Sequence, residues 1–183
     1  MPSKITRVSI YDMDGVIVCS LHRYRTITCP EKGTRIDLNH WRENEHRAYD
    51  DKPGPLWDQY KEDLKDPSCY VIIATAREMH GPDNAFLKDK LGEPDYLISR
   101  PHGDSISGAT LKINGLAKFF NLIPFKGAVF TMYEDNGPQL IKICDRFNIR
   151  GVYVPSKQGF WFCCEHNEKP CYTLGCYPLD NPR

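Results

Sequence analysis

Short apolar runs recur along this chain, separated by stretches in which apolar residues have a helical spacing. Apolar runs bounded by turn-forming residues are typical of strands buried inside a sheet. They predict five strands, at residues 5–10, 69–75, 96–99, 127–133 and 151–154.

Helices are predicted between these strands from apolar residues three and four positions apart. One helix spans residues 83–91, begins with Asp83 as its cap and ends near Gly92. Two more are predicted from their apolar positions, which are Ile113, Leu116, Ala117 and Phe120, and then Leu140, Ile141, Cys144 and Phe147 with Asn136 as cap. The alternation predicts an α/β fold with a doubly wound, mainly parallel sheet.

The first predicted strand ends in two aspartates, Asp12 and Asp14, which precede Gly15. Side chains two residues apart in an extended segment point the same way, so the two carboxylates repel each other. A divalent metal ion between them, or protonation of one to make an acid–base pair, would relieve that repulsion. The alternative is an ordinary Asp-Gly turn after a strand.

Other polar residues follow strands in the same way. Thr75 and Arg77 follow the second strand, and Glu134 and Asp135 follow the fourth. Lys112 stands near the start of a helix. Because ligands of doubly wound sheets bind beyond the carboxyl ends of the strands, we expect these side chains to line one pocket.

Composition limits the classes of function. The 183 residues suit one domain, and 24 Lys and Arg balance 24 Asp and Glu. Extended duplexes select basic surfaces, so this balance weighs against duplex binding but leaves room for a nucleotide or a strand end in a local basic pocket. The sequence lacks a membrane-spanning apolar stretch and a signal-peptide core, so we expect a cytoplasmic protein without a membrane partner.

The order of the polar residues resembles the four motifs of the haloacid dehalogenase superfamily. The resemblance covers roughly residues 5 to 155 and rests on Asp12-x-Asp14-Gly15, Thr75, Lys112 and Glu134-Asp135. It implies a Rossmann-like core and a phosphatase that works through an aspartyl-phosphate, with Asp12 as nucleophile and Asp14 as general acid and base. Thr75 would hydrogen-bond the phosphate, and Lys112 would neutralise it.

The same resemblance implies Mg²⁺ as cofactor, bound by Asp12, the backbone carbonyl of Asp14 and Asp135, with Glu134 as a weaker ligand. The chemistry makes a matching demand, because a phosphate dianion repels a carboxylate nucleophile unless positive charge lies on its oxygens. Asp14 can act as acid in one step and as base in the next if its pKa is raised toward neutrality.

A narrower resemblance concerns the substrate. Residues 75–78, Thr-Ala-Arg-Glu, and residues 100–104 ahead of Lys112 resemble the 3′-phosphatase domain of polynucleotide kinase-phosphatases, although Gly108 stands where that family has an acidic residue. Small phosphatases encoded by phages are similar too, and a protein of that kind would act in the host cytoplasm.

Two arginines extend this resemblance. Arg23 falls where the polynucleotide family has a functional arginine, and Arg77 lies in the Thr-Ala-Arg-Glu segment. With Thr75, they are candidates for binding the substrate phosphate, since a guanidinium contacts phosphate with two parallel hydrogen bonds. The alternative for both arginines is a position on the surface.

These resemblances leave three interpretations of function. The preferred one is a phosphatase for a 3′-phosphate on a nucleic-acid end or nucleotide, and the alternative is a 5′-mononucleotidase. The third, from another class, is a non-catalytic module that keeps the fold and binds nucleic acid or protein; the competent residues in all four motifs argue against it. The expected partner is a phosphorylated nucleotide or nucleic-acid end, and the oligomeric state is left open.

Residues 20–68 separate the first two motifs, and in the superfamily an insertion here forms a cap over the site. Two helices are predicted within it, at residues 38–45 and 55–61. Trp41 and Trp57 either stack on a base or pack the cap on the core. The expected division is a catalytic core of residues 1–19 and 69–160, a small helical cap of residues 20–68, and a Cys-rich tail of residues 161–183.

The tail concentrates cysteine and histidine. These soft ligands could hold a structural Zn²⁺, and one possible tetrahedral set is Cys164, His166, Cys171 and Cys176. The tail lacks the paired Cys-x-x-Cys turns of common zinc sites, and the alternative is a group of free thiols, because cysteines in an intracellular chain stay reduced.

Overall fold

The computed structural model describes residues 4–30 and 33–156 of the chain. Its strands are β1 (Arg7–Tyr11), β2 (Val18–Cys19), β3 (Thr26–Cys29), β4 (Gly33–Ile36), β5 (Lys52–Pro53), β6 (Cys69–Glu78), β7 (Tyr96–Arg100), β8 (Val129–Glu134) and β9 (Arg150–Tyr153). Its α-helices are α1 (Leu38–Glu43), α2 (Trp57–Asp63), α3 (Gly81–Phe86), α4 (Gly108–Leu116) and α5 (Gly137–Phe147). None of the helices in these two ranges has the length and apolar character needed to cross a membrane.

Five parallel strands form the central sheet, in the order β7-β6-β1-β8-β9. The chain leaves β1 toward one edge of the sheet, through β6 and β7, and returns to build β8 and β9 on the other side of β1. The strand order therefore reverses between β1 and β8, where the fold leaves a crevice at the carboxyl ends of the strands. The doubly wound, mainly parallel α/β fold predicted from the sequence is confirmed.

Side chains of the strands alternate between two apolar layers, one on each face of the sheet. Val8 and Ile10 of β1 belong to a buried cluster with Leu140 of α5. Tyr11 points to the opposite face, where its ring contacts Tyr60 of α2 edge to face, with the centroids 5.5 Å apart. Burial on both faces explains why the strands have nearly continuous apolar sequences.

Helix starts follow local capping chemistry. The side chain of Asn136 accepts a hydrogen bond from the backbone N–H of Gln139 at 3.1 Å, so α5 begins at the predicted cap. The helix predicted at 83–91 begins earlier, because His80 is its cap and the Asp83 carboxylate accepts the backbone N–H of His80 at 3.0 Å. An aspartate at the third helical position accepts a backbone N–H at the start of the helix much as a capping residue does. This explains why the predicted start of the helix was placed too late, at Asp83.

The segment of residues 20–68 divides into two parts. The hairpin of β3 and β4, which the sequence analysis did not predict, stands with α1 at the carboxyl edge of the sheet. The second predicted cap helix, α2, lies instead on the core, where Tyr60 is fully buried and the Trp57 ring meets Phe86 at 5.9 Å. Helix α2 therefore belongs to the layer that packs on the sheet. Of the segment 20–68, the β3–β4 hairpin and α1 stand at the edge of the sheet.

The difference in burial between core and surface isoleucines predicts a difference in stability. Ile72 lies in β6 and is fully buried, so replacing it with alanine leaves a cavity and should lower the free energy of unfolding by about 2–5 kcal/mol. Ile123 is 87 % exposed, and the same replacement there should cost about 0.5 kcal/mol or less. Chemical denaturation of the two variants measures the difference, and equal losses would contradict this core.

Candidate active site

A pocket of about 500 Å³ opens over the crevice between β1 and β8. Its base is formed by residues at the carboxyl ends of β1, β6 and β8, and its walls by the β3–β4 hairpin with α1 and by the loop between β7 and α4. Seven residues singled out from the sequence line it, which are Asp12, Asp14, Thr75, Arg77, Lys112, Glu134 and Asp135.

Lys112 is the ammonium group at the base of this pocket. It projects from α4, is 1 % exposed, and its Nζ donates to Asp12 Oδ1 at 2.8 Å and to Glu134 Oε2 at 2.5 Å. Burial alone would lower the pKa of Lys112, but the charges of Asp12 and Glu134 outweigh burial and raise that pKa. The ammonium therefore stays charged and stands beside Asp12, where a phosphate would need it.

Three carboxylates surround this single ammonium. Oxygens of Asp12, Glu134 and Asp135 all lie within 4.8 Å of one another, and all three residues are buried. Burial and the charge of Glu134 raise the pKa of Asp12 to about 8, and the same two causes raise the pKa of Asp135 well above its usual value. Carboxylate oxygens are the ligands that Mg²⁺ prefers, and a divalent cation would relieve this repulsion, so the residues present fit such an ion.

Asp135 is held in place from two sides. The Ser156 hydroxyl, in the loop after β9, donates to Asp135 Oδ2 at 2.7 Å. On the other side Gly15 comes so close that a Cβ there would lie 2.0 Å from the same oxygen. Gly15 also has φ +78°, in the left-handed region that favours glycine. Glycine is thus required by both backbone conformation and space, which the Asp-Gly turn alone does not explain.

The Asp14 carboxylate is bound by Arg77. The Nε of Arg77 donates to Asp14 Oδ2 at 3.1 Å and its Nη2 donates to Oδ1, while the Ser20 hydroxyl donates to Oδ1 at 2.6 Å. Burial favours a higher pKa for Asp14, but the charge and hydrogen bonds of Arg77 outweigh it and lower that pKa below its usual value. The expectation of a raised pKa at Asp14 is therefore wrong in this arrangement.

Arg77 and Arg23 form a buried network with aspartates beside the pocket. Arg77 Nη1 contacts Asp51 at 2.9 Å and Asp83 at 2.8 Å. Arg23 donates to both oxygens of Asp51, at 2.9 and 3.0 Å. Both arginines are buried, so the surface alternative is wrong for both. Arg77 lines the pocket, whereas Arg23 is not among the residues that line it.

Thr75 and Arg100 shape the pocket next to these groups. Thr75 is 1 % exposed, and its hydroxyl accepts a hydrogen bond from the backbone N–H of Arg77 at 3.2 Å. The Nη1 of Arg100 donates to the backbone oxygens of Asp104 and Ile106 at 3.1 and 2.8 Å. Arg100 therefore holds the wall formed by the loop between β7 and α4.

Several residues of the site carried no recognisable motif. Gly108 stands where the polynucleotide kinase-phosphatase family has an acidic residue. A Cβ at this position would lie 2.7 Å from Gln139 Oε1, so the glycine leaves room for the Gln139 side chain. Gln139 and Arg42 line the pocket, and Ser156 fixes a carboxylate. The only sequence signal for Ser156 was its position just after the last strand.

The proposed zinc ligands cannot be placed in this site. Cys164, His166, Cys171 and Cys176 lie outside the described residues, as does nearly all of the segment that follows β9. The zinc site therefore stays a prediction from the sequence.

Comparison with known families decides the class of protein. A sequence model of the family described as bacteriophage T5 5′-deoxynucleotidase matches residues 1–100, more than half of the chain. The chain belongs to this family. The match includes Asp12, Asp14, Thr75 and Arg77, and membership of a deoxynucleotidase family makes the protein a phosphatase, as the resemblance of its motifs implied.

Solved structures share the fold. A chain of the Pnkp1/Rnl/Hen1 RNA repair complex matches with a TM-score of 0.58 and 18% identity, over 82% of this chain and 42% of that one, so this chain spans less than half of that protein. The haloacid dehalogenase domain of effector protein Lem4 from Legionella pneumophila matches with a TM-score of 0.52 and 15% identity, over 93% and 90% of the two chains. No curated protein matches the sequence closely enough to count as a relative.

The close approach of Gly15 to Asp135 makes a prediction about activity. A methyl group at position 15 must displace Asp135, and a misplacement of that size should lower phosphatase activity by about 100-fold. Gly127 has φ +82° and no atom within 4 Å of the position that a methyl group would take, so Gly127→Ala shares the backbone strain without the clash. Hydrolysis of p-nitrophenyl phosphate compares the two variants, and equal activities would show that this contact is unimportant.

Proposed function

We propose that the protein removes the 5′-phosphate from nucleoside monophosphates, with deoxynucleotides as preferred substrates and Mg²⁺ as cofactor. The observation that carries the proposal is the buried group of Asp12, Lys112 and Asp135 in a chain that belongs to the 5′-deoxynucleotidase family. A pocket of about 500 Å³ is in the size range that encloses most of a small ligand. A mononucleotide suits it better than an extended strand, in keeping with the neutral charge of the chain.

The first step joins the phosphate to Asp12. A carboxylate oxygen of Asp12 forms a bond to phosphorus while the bond from phosphorus to O5′ breaks. Lys112, 2.8 Å from that carboxylate, neutralises charge on the phosphate oxygens, and Thr75 offers a hydroxyl to the same group. The leaving oxygen takes a proton from Asp14, and the nucleoside departs.

The second step returns Asp12 to its starting state. Water attacks phosphorus, Asp14 accepts the proton of that water, and the bond between phosphorus and Asp12 breaks to release inorganic phosphate. Before the first step Asp14 must be freed from Arg77, which otherwise keeps it ionised. The substrate phosphate is a dianion and competes with Asp14 for that guanidinium, so substrate binding itself favours the protonated acid.

The carboxylate cluster would bind the metal. Asp12, Asp135 and the backbone carbonyl of Asp14 are the proposed Mg²⁺ ligands, with Glu134 as a weaker ligand of the same cluster. The bound ion would neutralise negative charge on the phosphate and so lower the barrier to attack. Ser156 acts through Asp135, which it holds in place.

Asp12→Asn should abolish turnover, because an amide oxygen is a poor nucleophile and cannot carry the phosphate through both steps. Asp145→Asn is the matched control, since Asp145 is exposed on α5 and should keep the normal rate. Release of inorganic phosphate from p-nitrophenyl phosphate measures both variants. A near-normal rate for Asp12→Asn would remove Asp12 from the role of nucleophile.

A matched substrate panel tests the function. Thymidine 5′-monophosphate and thymidine 3′-monophosphate differ only in the position of the phosphate, and uridine 5′-monophosphate adds the ribose series. We expect phosphate release from the first, much less from the others, and none after EDTA until Mg²⁺ is added. Preference for a 3′-phosphate rests on the resemblance of residues 75–78, residues 100–104 and Arg23 to the polynucleotide family, and a faster 3′ reaction would overturn the 5′ proposal.

A further inference from the structure

The two tryptophans of the inserted segment have different surroundings. Trp57 packs on Phe86 in the core, and Lys61 Nζ lies 4.7 Å from the centroid of the Trp57 ring. Trp41 lies on α1, a helix in which no residue is buried, and its ring lines the active-site pocket. Core packing therefore accounts for Trp57, whereas Trp41 contacts buried arginines and also lines the pocket.

Arg23 holds the Trp41 ring in place. The Arg23 guanidinium carbon lies 4.1 Å from the ring centroid, a distance at which a cation attracts the face of the ring. Arg23 is itself fixed by two hydrogen bonds to Asp51 and is 1 % exposed. Arg23 does not line the pocket and Trp41 does, so Trp41 contacts the buried guanidinium and also presents surface to the cavity.

Arg42, the next residue, differs from the other cations that line the pocket. Arg77 is bound by aspartates, Arg100 by backbone carbonyls and Lys112 by Asp12 and Glu134. Within residues 4–30 and 33–156, the Arg42 guanidinium has neither an ion pair nor a hydrogen bond, and it is exposed. Its five donors are thus available to a ligand.

We propose that Trp41 and Arg42 form a nucleobase subsite, in which the indole ring stacks on the base and the guanidinium contacts the polar edge of the base. The subsite deepens the proposed function and rests on it. Stacking on an aromatic ring tolerates all bases, because every base has a π-face, so the subsite favours nucleotides over other phosphate esters without selecting one base.

The spacing between the two subsites suits a mononucleotide. Arg77 donates to the Asp14 carboxylate, and its guanidinium carbon lies 5.5 Å from the Trp41 ring centroid. The ring and the proposed acid–base residue are therefore both neighbours of one guanidinium. In a nucleoside monophosphate one sugar separates phosphate from base, which matches that arrangement.

The test compares a nucleotide with the same molecule lacking its base. For Trp41→Ala we expect kcat/KM for thymidine 5′-monophosphate to fall about 5- to 150-fold, mainly through KM, which is the range measured when a stacking side chain is lost. With 2-deoxyribose 5-phosphate the change should stay below about twofold, since no base is present to stack. Trp41→Phe keeps an aromatic face and should restore most of the loss.

Arg42→Ala should also raise KM for the nucleotide alone. Arg47→Ala is its matched control, because Arg47 lies on the same segment, does not line the pocket and donates only to Asn44 at 3.3 Å. Thermal unfolding of each variant separates loss of binding from loss of fold.

Binding to the Asp12→Asn protein makes the test independent of turnover. If that protein binds 2-deoxyribose 5-phosphate as tightly as thymidine 5′-monophosphate, or if Trp41→Ala weakens both equally, the base subsite is overturned. If the base strengthens binding through Trp41 but the active protein releases no phosphate from 5′-nucleotides, the subsite stands and the proposed function fails.

Discussion

Burial of three carboxylates around one ammonium is the interaction on which this site depends. Like charges at such distances are costly away from water, and Lys112 offsets only part of that cost through its contacts with Asp12 and Glu134. The remainder is seen in the raised pKa values of Asp12 and Asp135. The site therefore attracts additional positive charge at the place where the proposed reaction would bring a phosphate to Asp12. The parallel sheet makes this arrangement possible, because β1 and β8 are neighbours whose carboxyl ends open on one crevice.

A second set of charges, around Arg77, lowers the pKa of a carboxylate instead of raising it. The Arg77 guanidinium contacts Asp51 and Asp83 as well as Asp14, and its charge favours the ionised form of Asp14. Two carboxylates that follow the same strand thus have pKa values shifted in opposite directions, upward for Asp12 and downward for Asp14. The difference arises from their neighbours, since both belong to the same turn. Separate environments for adjacent acidic groups are a common way in which active sites give similar side chains different roles.

The sequence was sufficient for the sheet and for the convergence of Asp12, Lys112 and Asp135, because both follow from strand order and from apolar runs buried on two faces. It was insufficient for the contacts of Asp14 and Arg23. Those contacts depend on how the inserted segment folds, and four-residue strands such as β3 and β4 have too few apolar residues for a periodic signal. Helical periodicity likewise could not distinguish α2, which packs on the sheet, from α1, which does not.

Asp51 has a consequence for how this protein can change over evolutionary time. It comes from the inserted segment, yet its carboxylate neutralises both Arg23 and the core residue Arg77. A deletion that removed Asp51 would take from the buried Arg23 its two hydrogen bonds to that carboxylate, whereas Arg77 would keep Asp14 and Asp83. Removing one partner of a buried ion pair destabilises a fold by about 3–5 kcal/mol. Changes in the inserted segment are therefore coupled to the core through Asp51, and lineages that lose this residue are expected to replace Arg23 as well.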